Sequence, residues 1–278
     1  MLVVLLPSAL TRHLEFAVGQ RERLRIANTW SEFERILQAY PESIAFVDPS
    51  LDEVASMAVF ARMSAKRSAL PIVAYMPISA IAFHVVCELS RSGLEHCMLY
   101  SHDDSVDEIF AKISNLRSNL IAERFISRLR PSLVSLPVPI QFAVQTLFSQ
   151  PHKFHNAQDL AISAGVSTAA LYRAFRTARF SAPKKMVVAA RLLRMYAQLK
   201  NPRQSVCGAA AKLSYRSVEV LACHTREVFG VCPSRLRDVL TEPAVFGTLL
   251  CWLGQPWPHG TPTLRSKNDR RNRTHRSR

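Results

Sequence analysis

Apolar and polar positions follow two different patterns along the 278-residue chain, and the change falls near residue 130. Before it, short and uniformly apolar runs alternate with amphipathic stretches, which is typical of parallel strands covered by helices on both faces. After it, apolar positions recur only at the three- and four-residue spacing of helices, as far as residue 240. The patterns predict an α/β N-terminal domain with a parallel sheet, followed by an all-α domain.

Four apolar runs in the first domain are predicted to be strands, with helices between and after them. The strands are Leu2–Leu6, Ile44–Val47, Pro71–Tyr75 and Cys97–Tyr100. The helices are Leu14–Ala17, Trp30–Ala39, Leu51–Ser64, Ile78–Ser90 and Val106–Leu129. In the third helix we expect an inward stripe formed by Val54, Met57, Ala58 and Ala61. The stripe of the last helix fits either packing on the sheet or a dimer contact.

Prolines set the predicted domain boundaries. Three prolines within residues 131–139 predict a linker there, so the first domain is assigned to residues 1–130. From residue 241 onward, further prolines interrupt the helical pattern, and residues 265–278 contain seven Lys/Arg and one Asp. We therefore predict that the helical domain covers residues 140–240 and that a proline-containing, basic and disordered tail covers residues 241–278.

The charge of the chain is unevenly distributed between these domains. The formal net charge is +15, with −3 in residues 1–120 and +18 in residues 121–278. Such asymmetry indicates that one module faces a polyanion, and nucleic acid is favoured over an anionic membrane. Uncharged stretches of about 20 residues are long enough to span a bilayer, but prolines and polar residues interrupt each of them. The chain start lacks the cationic region of a signal peptide, so a cytoplasmic location is predicted.

A helix-turn-helix pattern occupies residues 157–175. Gly165 accepts the positive φ of a turn, and Ser167 is a suitable N-cap for the helix that follows. Leu171 and Phe175 are predicted to enter the core from that helix. Its other face is suited to a major groove and carries Thr168, Ala169, Tyr172, Arg173 and Arg176. An ordinary helical hairpin is the alternative interpretation.

The pattern recurs at residues 209–221, with Tyr215 in the turn, Ser217 as N-cap and Leu221 entering the core. Between the two copies, Pro183–Leu199 is predicted to be one long helix that begins with its proline. Its inward candidates are Val187, Ala190, Leu193 and Ala197. Two units joined by one rigid helix would present two reading helices to one side of a duplex.

Over about residues 138–240, these features resemble the DNA-binding domain of the AraC/XylS family of bacterial transcription regulators, including a closing signature at Phe229–Arg237. The resemblance implies base reading by residues at the family's base-contacting positions, namely Ala169, Tyr172, Arg173, Val218, Glu219, Val220 and Cys223. Thr168 lies on the same predicted face and is added to these. Arg176 and Arg226 match phosphate-side positions, and Arg216 lies close enough to assist.

The chain departs from the family pattern at several positions. The family usually has glycine where this chain has Phe180 and Ser214, an aromatic residue at Thr225 and a basic one at Cys223. The second unit is therefore poor in hydrogen-bond donors, and Glu219 repels phosphate unless it accepts from a cytosine. We expect either that the first unit dominates base reading or that the second docks mainly through backbone contacts.

The N-terminal domain resembles, more faintly, the receiver domains of two-component signalling. Asp48, which follows the second predicted strand, matches the phosphoacceptor position. Pro7-Ser8-Ala9 replaces the acidic pair expected after the first strand, which leaves little to hold Mg²⁺. Two interpretations stay open: a degenerate receiver-like module for sensing or dimerisation, in which Asp48 begins a turn, and a phosphorelay response regulator in which Asp48 accepts phosphate.

The six cysteines have neither Cys-x-x-Cys nor zinc-like spacing, and none lies in the first 86 residues. An alkyl-transfer DNA-repair enzyme with a related helical domain would need zinc-holding cysteines near the N-terminus, so no enzymatic activity, metal or cofactor is predicted. The predicted function is a bacterial transcription regulator that binds double-stranded DNA. A homodimer through the N-terminal domain and contact with RNA polymerase are the further predicted partners, and no membrane partner is predicted.

Overall fold

The structure, a computed structural model, describes residues 1–64, 71–201 and 204–256, and for positions 21, 64 and 237 the backbone alone. It divides into two compact units, residues 1–120 and the chain from residue 121 onward. The first is an α/β unit and the second is helical. The predicted basic stretch at 265–278 lies outside the described residues.

The first unit is built on a five-stranded parallel sheet. Its strands are β1 (Leu2–Leu5), β2 (Leu24–Ile26), β3 (Ile44–Val47), β4 (Ile72–Met76) and β5 (His96–Leu99), in the order β2-β1-β3-β4-β5. The predicted parallel sheet is confirmed, but β2 was not predicted. This edge strand has only three residues, and two of them are exposed, so it lacks the apolar run that marks the central strands.

Among the described residues, five helices pack with this sheet: α1 (Ser8–Val18), α2 (Trp30–Ala39), α3 (Glu53–Ser64), α4 (Ala80–Arg91) and α5 (Val106–Leu133). Neighbouring residues along a strand enter different cores, as in β1, where Val3 packs with residues of α2, α3 and α4. Val4 packs with residues of α1 and α5 instead. Because both faces are covered, the central strands are apolar at successive positions rather than alternately.

The predicted inward stripe of α3 is wrong. Val54 is 81% exposed and Met57, Ala58 and Ala61 are also exposed. The buried residues of α3 are Ser56, Val59 and Phe60. Both stripes follow helical spacing, and the buried one contains a serine that makes it look the more polar. The hydroxyl of Ser56 donates to the carbonyl of Glu53 at 2.8 Å, so this side chain is buried with its hydrogen bond satisfied.

The predicted boundary at residues 131–139 is also wrong in part. Helix α5 continues through Pro131 to Leu133, and the second unit begins within this helix, at Ile121. Helix α6 (Val138–Ser149) starts directly after Pro137 and has Pro139 in its first turn. Proline is compatible with a first turn because the N–H it lacks has no partner within the helix there. The three prolines therefore bracket a short connection rather than form a linker.

The described part of the second unit contains seven further helices: α7 (Ala157–Ser163), α8 (Thr168–Thr177), α9 (Pro183–Leu199), α10 (Val206–Lys212), α11 (Val218–Phe229), α12 (Pro233–Val239) and α13 (Glu242–Trp252). Helix α9 runs through its core, and the four predicted inward residues, Val187, Ala190, Leu193 and Ala197, are all buried. Within the described ranges, no helix combines the length and apolarity needed to cross a membrane.

Helix α13 corrects the prediction that the chain is disordered from residue 241. Phe246, Leu249 and Leu250 are buried, and the Phe246 ring lies 5.4 Å from the Phe125 ring, centroid to centroid. Pro243 was interpreted as a helix breaker, but it stands in the first turn of α13, where proline is tolerated. Residues 241–256 therefore belong to the folded second unit.

Candidate nucleic-acid interface

Helices α7 and α8, here called the first helix pair, are joined by a tight turn. Gly165 has φ +64°, and the N–H of Val166 donates to the carbonyl of Ala161 at 3.0 Å. Together with the bond from Gly165 N–H to the carbonyl of Ile162, this is a Schellman closure of α7. The hydroxyl of Ser167 then accepts from the N–H of Ala170 at 3.2 Å and caps α8. The predicted roles of Gly165 and Ser167 are confirmed.

Helices α10 and α11, the second helix pair, have a turn of the same kind. Ser214 has φ +55°, and the N–H of Tyr215 donates to the carbonyl of Ala210 at 3.0 Å. The hydroxyl of Ser217 accepts from the N–H of Val220 and caps α11. The second turn contains one additional residue, Arg216, between its left-handed residue and its N-cap. Its exposed side chain therefore lies next to the start of α11.

The outer face of α8 is cationic and aromatic. Leu171 and Phe175 are buried, as predicted, while Thr168, Ala169, Arg173 and Arg176 are exposed and Tyr172 is 43% exposed. Neither arginine has an acidic partner within 4 Å among the described residues. This face therefore brings together the predicted residues of the first pair and leaves its two guanidinium groups available to a ligand.

The outer face of α11 has a different chemistry. Glu219, Val220, Cys223 and Arg226 are exposed, and Val218 is half-buried against the core. Hydrogen bonding to Ser217 lowers the pKa of Glu219, so this carboxylate is ionised at neutral pH. Thr225 is fully buried, and its hydroxyl donates to the carbonyl of Leu221 at 2.7 Å. The outer face of α11 thus offers a single arginine, Arg226, and an ionised carboxylate, Glu219.

A buried arginine connects the surroundings of the two helix pairs, and the sequence patterns did not reveal it. Arg191 lies in the middle of α9, and its Nη2 donates to the carbonyl of Phe154, just before α7, at 2.7 Å. Its guanidinium carbon lies 5.3 Å from the ring centroid of Tyr215, in the turn of the second pair. Burial lowers the pKa of Arg191 and raises that of Tyr215 to about 12. Arg191 is therefore placed to hold both pairs against α9.

Asp48, the predicted phosphoacceptor, is only 3% exposed at the end of β3. Its Oδ1 accepts from the N–H of Ser50 at 3.0 Å and from the hydroxyl of Ser50 at 2.5 Å, so it caps a short helical turn. Among the described residues, no group of three or more His, Cys, Asp or Glu side chains could hold a metal ion. This environment matches the expected turn-starting role of Asp48.

A second polar group lies near the carboxyl ends of β4 and β5, and sequence reasoning missed it. The Tyr75 hydroxyl donates to Oδ2 of Asp104 at 2.5 Å, and Nε2 of His13 lies 3.3 Å from the same oxygen. Burial, with Asp104 beside it, raises the pKa of Tyr75. The three residues are far apart in the sequence, and only the sheet topology brings them together.

Comparison with known proteins gives no match: no family model, no curated protein and no solved structure matches this chain. The geometry and charge of the two helix pairs are therefore the features that bear on function.

Proposed function

We propose that the chain is a DNA-binding transcription regulator that inserts α8 and α11 into the major groove of duplex DNA. The observation that carries the proposal is the outer face of α8. Tyr172, Arg173 and Arg176 are exposed on this helix, which follows a tight turn and is capped by Ser167. Among the described residues, neither arginine has an acidic side chain within ion-pair distance. A helix of this kind fits the width of the major groove, and arginine is the side chain best matched to a guanine edge.

In this proposal the two pairs have unequal roles. Arg173 donates to a base edge, Tyr172 contacts a sugar or a thymine methyl, and Arg176 binds phosphate. Helix α11 docks through its N-terminal backbone, assisted by Arg216 and Arg226, because its face otherwise consists of small or apolar residues and Glu219. The ionised Glu219 opposes phosphate and favours a cytosine amino group opposite it.

The N-terminal unit is proposed to be a receiver-like sensing or dimerisation module. Its strand order, β2-β1-β3-β4-β5, is that of flavodoxin-like folds, in which ligands bind at the carboxyl ends of the strands. With a net charge of −3, this unit is a poor partner for DNA, in contrast to the +18 half of the chain. Dimerisation through it would place two copies of the helical unit on one operator, where they could also contact RNA polymerase.

The experiment that tests the proposed function is selection of duplexes from a random pool by the full chain. We expect enrichment of a specific sequence and binding that weakens steeply with salt, because phosphate contacts release counterions. One enriched motif would support dominance of the first pair, and two motifs about one helical turn apart would support reading by both. Recovery of unenriched sequence would contradict specific DNA recognition.

The alternative, a phosphorelay response regulator, requires phosphorylation of Asp48. Its 3% exposure and its two bonds to Ser50 weigh against this role. Incubation with acetyl phosphate and Mg²⁺, followed by mass spectrometry of the intact chain and of an Asp48→Asn variant, separates the two. A phosphoryl adduct that the variant lacks would establish the alternative, and the proposed function expects none.

A further inference from the structure

A cavity of about 590 Å³ lies beside α8 and the first turn of α9. Three guanidinium-bearing residues line it, Arg173, Arg176 and Arg179, together with the rings of Tyr172 and Phe180. Gly254, which follows α13, also lines it. The cavity therefore joins the proposed DNA-reading face of α8 to the C-terminal segment, which sequence reasoning had assigned to a disordered tail.

The cavity is positively charged. Among the described residues, none that lines it is acidic and none of the three arginines has a carboxylate within 4 Å. Like charges held around one space repel one another unless an anion enters it. Guanidinium groups are planar forks whose N–H donors match the oxygens of phosphate.

Arg179 stands at a backbone position that favours glycine. Its φ is +58°, and it ends α8 with the same Schellman closure that Gly165 provides for α7. The N–H of Phe180 donates to the carbonyl of Phe175 at 2.8 Å, and the centroids of their tilted rings lie 5.7 Å apart. An arginine in this left-handed conformation lowers the stability of the fold relative to glycine. Residues held in such unfavourable conformations cluster at binding sites.

The C-terminal segment holds the turn that presents Arg179. The N–H of Ser181 donates to the carbonyl of Leu253 at 2.9 Å, and Nε2 of Gln255 donates to the carbonyl of Arg179 at 3.2 Å. Gly254 approaches so closely that a Cβ on it would lie 3.2 Å from the same carbonyl oxygen. These contacts fix the wall of the cavity before a ligand arrives, which lowers the entropic cost of binding.

We infer that this cavity is a phosphate-binding site in which Arg176 and Arg179 bind the phosphate, while Arg173, which also lines it, keeps its proposed base contact. The phosphate group has two possible sources, the backbone of a bound duplex and a free phosphate or phosphate ester. The first source rests on the proposed function, and the second does not. The aromatic lining and a volume well above that of one phosphate group allow a phosphate ester with an apolar body to enter.

The variant that tests the site most directly is Arg179→Gly, because it removes one guanidinium group and places glycine at the left-handed position of the turn. Ser214→Gly is the matched control, since Ser214 occupies the same left-handed position in the second helix pair and carries no charge. Both variants are expected to keep or raise the melting temperature, so a loss of binding in Arg179→Gly cannot be attributed to unfolding.

The first arm titrates the full-length chain with inorganic phosphate and with phenyl phosphate, in a calorimeter at low salt and without DNA. We expect saturable one-site binding that Arg179→Gly weakens by about tenfold, the effect of one charged hydrogen bond, and that Ser214→Gly leaves unchanged. Absence of saturable binding to the wild-type chain, or equal binding by Arg179→Gly, would overturn the inference.

The second arm measures duplex affinity against salt concentration and assigns the source of the phosphate. If a backbone phosphate occupies the cavity, Arg179→Gly lowers the slope of log K against log salt by about one. If only the free phosphate ester is a ligand, the slope stays unchanged while the first arm still shows the loss. A wild-type chain that binds no duplex would refute the proposed function but not the phosphate site, because the first arm contains no DNA.

Discussion

The two helix pairs have nearly the same turn and very different outer faces. In both, a left-handed residue closes the first helix with a Schellman motif and a serine caps the second. The first pair uses Gly165 where the second uses Ser214, and the second has one residue more before its cap. On the outer faces, α8 carries Tyr172, Arg173 and Arg176, whereas α11 combines Glu219 with Val220 and Cys223.

This contrast shows which requirements are shared and which are not. The backbone of a tight turn needs a left-handed residue, a cap and buried apolar residues on the helix that follows, and both pairs meet these needs. No such requirement acts on the exposed face, which is free to diverge. The chain therefore repeats a scaffold without repeating its chemistry, and we expect the first pair to carry the greater share of the proposed DNA recognition.

The largest stability effect is expected at the residue on which both pairs depend. Arg191→Ala should lower the free energy of unfolding by about 2–4 kcal/mol, because a charged hydrogen bond to the carbonyl of Phe154 is lost and a cavity is left beside Tyr215. Chemical denaturation measures this loss. Lys184→Ala, at an exposed position of the same helix, is the control and should change stability by less than about 0.5 kcal/mol. Similar losses in both variants would argue against a bracing role for Arg191.

A smaller effect is expected in the turn of the first pair. Gly165→Ala should lower the free energy of unfolding by about 1–2 kcal/mol, because a side chain is strained at φ +64°. Open space surrounds this position, so the cost is one of backbone conformation and not of steric overlap with neighbours. Denaturation of the variant tests this, with Ser214→Ala as control, since that position already holds an L side chain. A destabilisation of Ser214→Ala as large as that of Gly165→Ala would contradict the shared turn geometry.

The smallest effect has the opposite sign and lies in the second pair. Ser214→Gly should raise the free energy of unfolding by up to about 1 kcal/mol, because glycine relieves the strain at φ +55°. The thermal midpoint should rise by a few degrees for a unit of this size. A drop in the midpoint would show that Ser214 contributes an interaction that its backbone conformation does not reveal.

Local signals made the helical unit largely predictable from the sequence. The bounds of α9 agree with the predicted Pro183–Leu199, and Gly165, Ser167 and Ser217 act as their residue types indicate. The exposed candidates on α8 followed from helical spacing once Leu171 and Phe175 were assigned to the core. Each of these inferences depends on residues within about one helical turn of one another.

Features that depend on distant contacts were missed. Strand β2 is held by backbone pairing with β1 and not by burial of its side chains. Its sequence therefore contains no apolar run that would mark a strand. Helix α13 is buried against residues such as Phe125, more than a hundred positions earlier, so its proline, Pro243, was interpreted without that context. The left-handed Arg179 was missed because its residue type does not mark such a turn, and the AraC/XylS pattern has its glycine one residue later, at Phe180.

The central claim, that the first pair reads bases and the second contributes less, is tested most directly by one comparison of binding. The affinities of Arg173→Ala and Cys223→Ala for the selected duplex and for random duplex should be measured at one salt concentration. We predict that Arg173→Ala loses about 1–3 kcal/mol of binding free energy on the selected duplex and much less on random DNA, because a base contact is removed. Cys223→Ala should bind both duplexes nearly as the wild-type chain does. An equal loss on both duplexes for Arg173→Ala, or a larger loss of specificity for Cys223→Ala, would contradict the account.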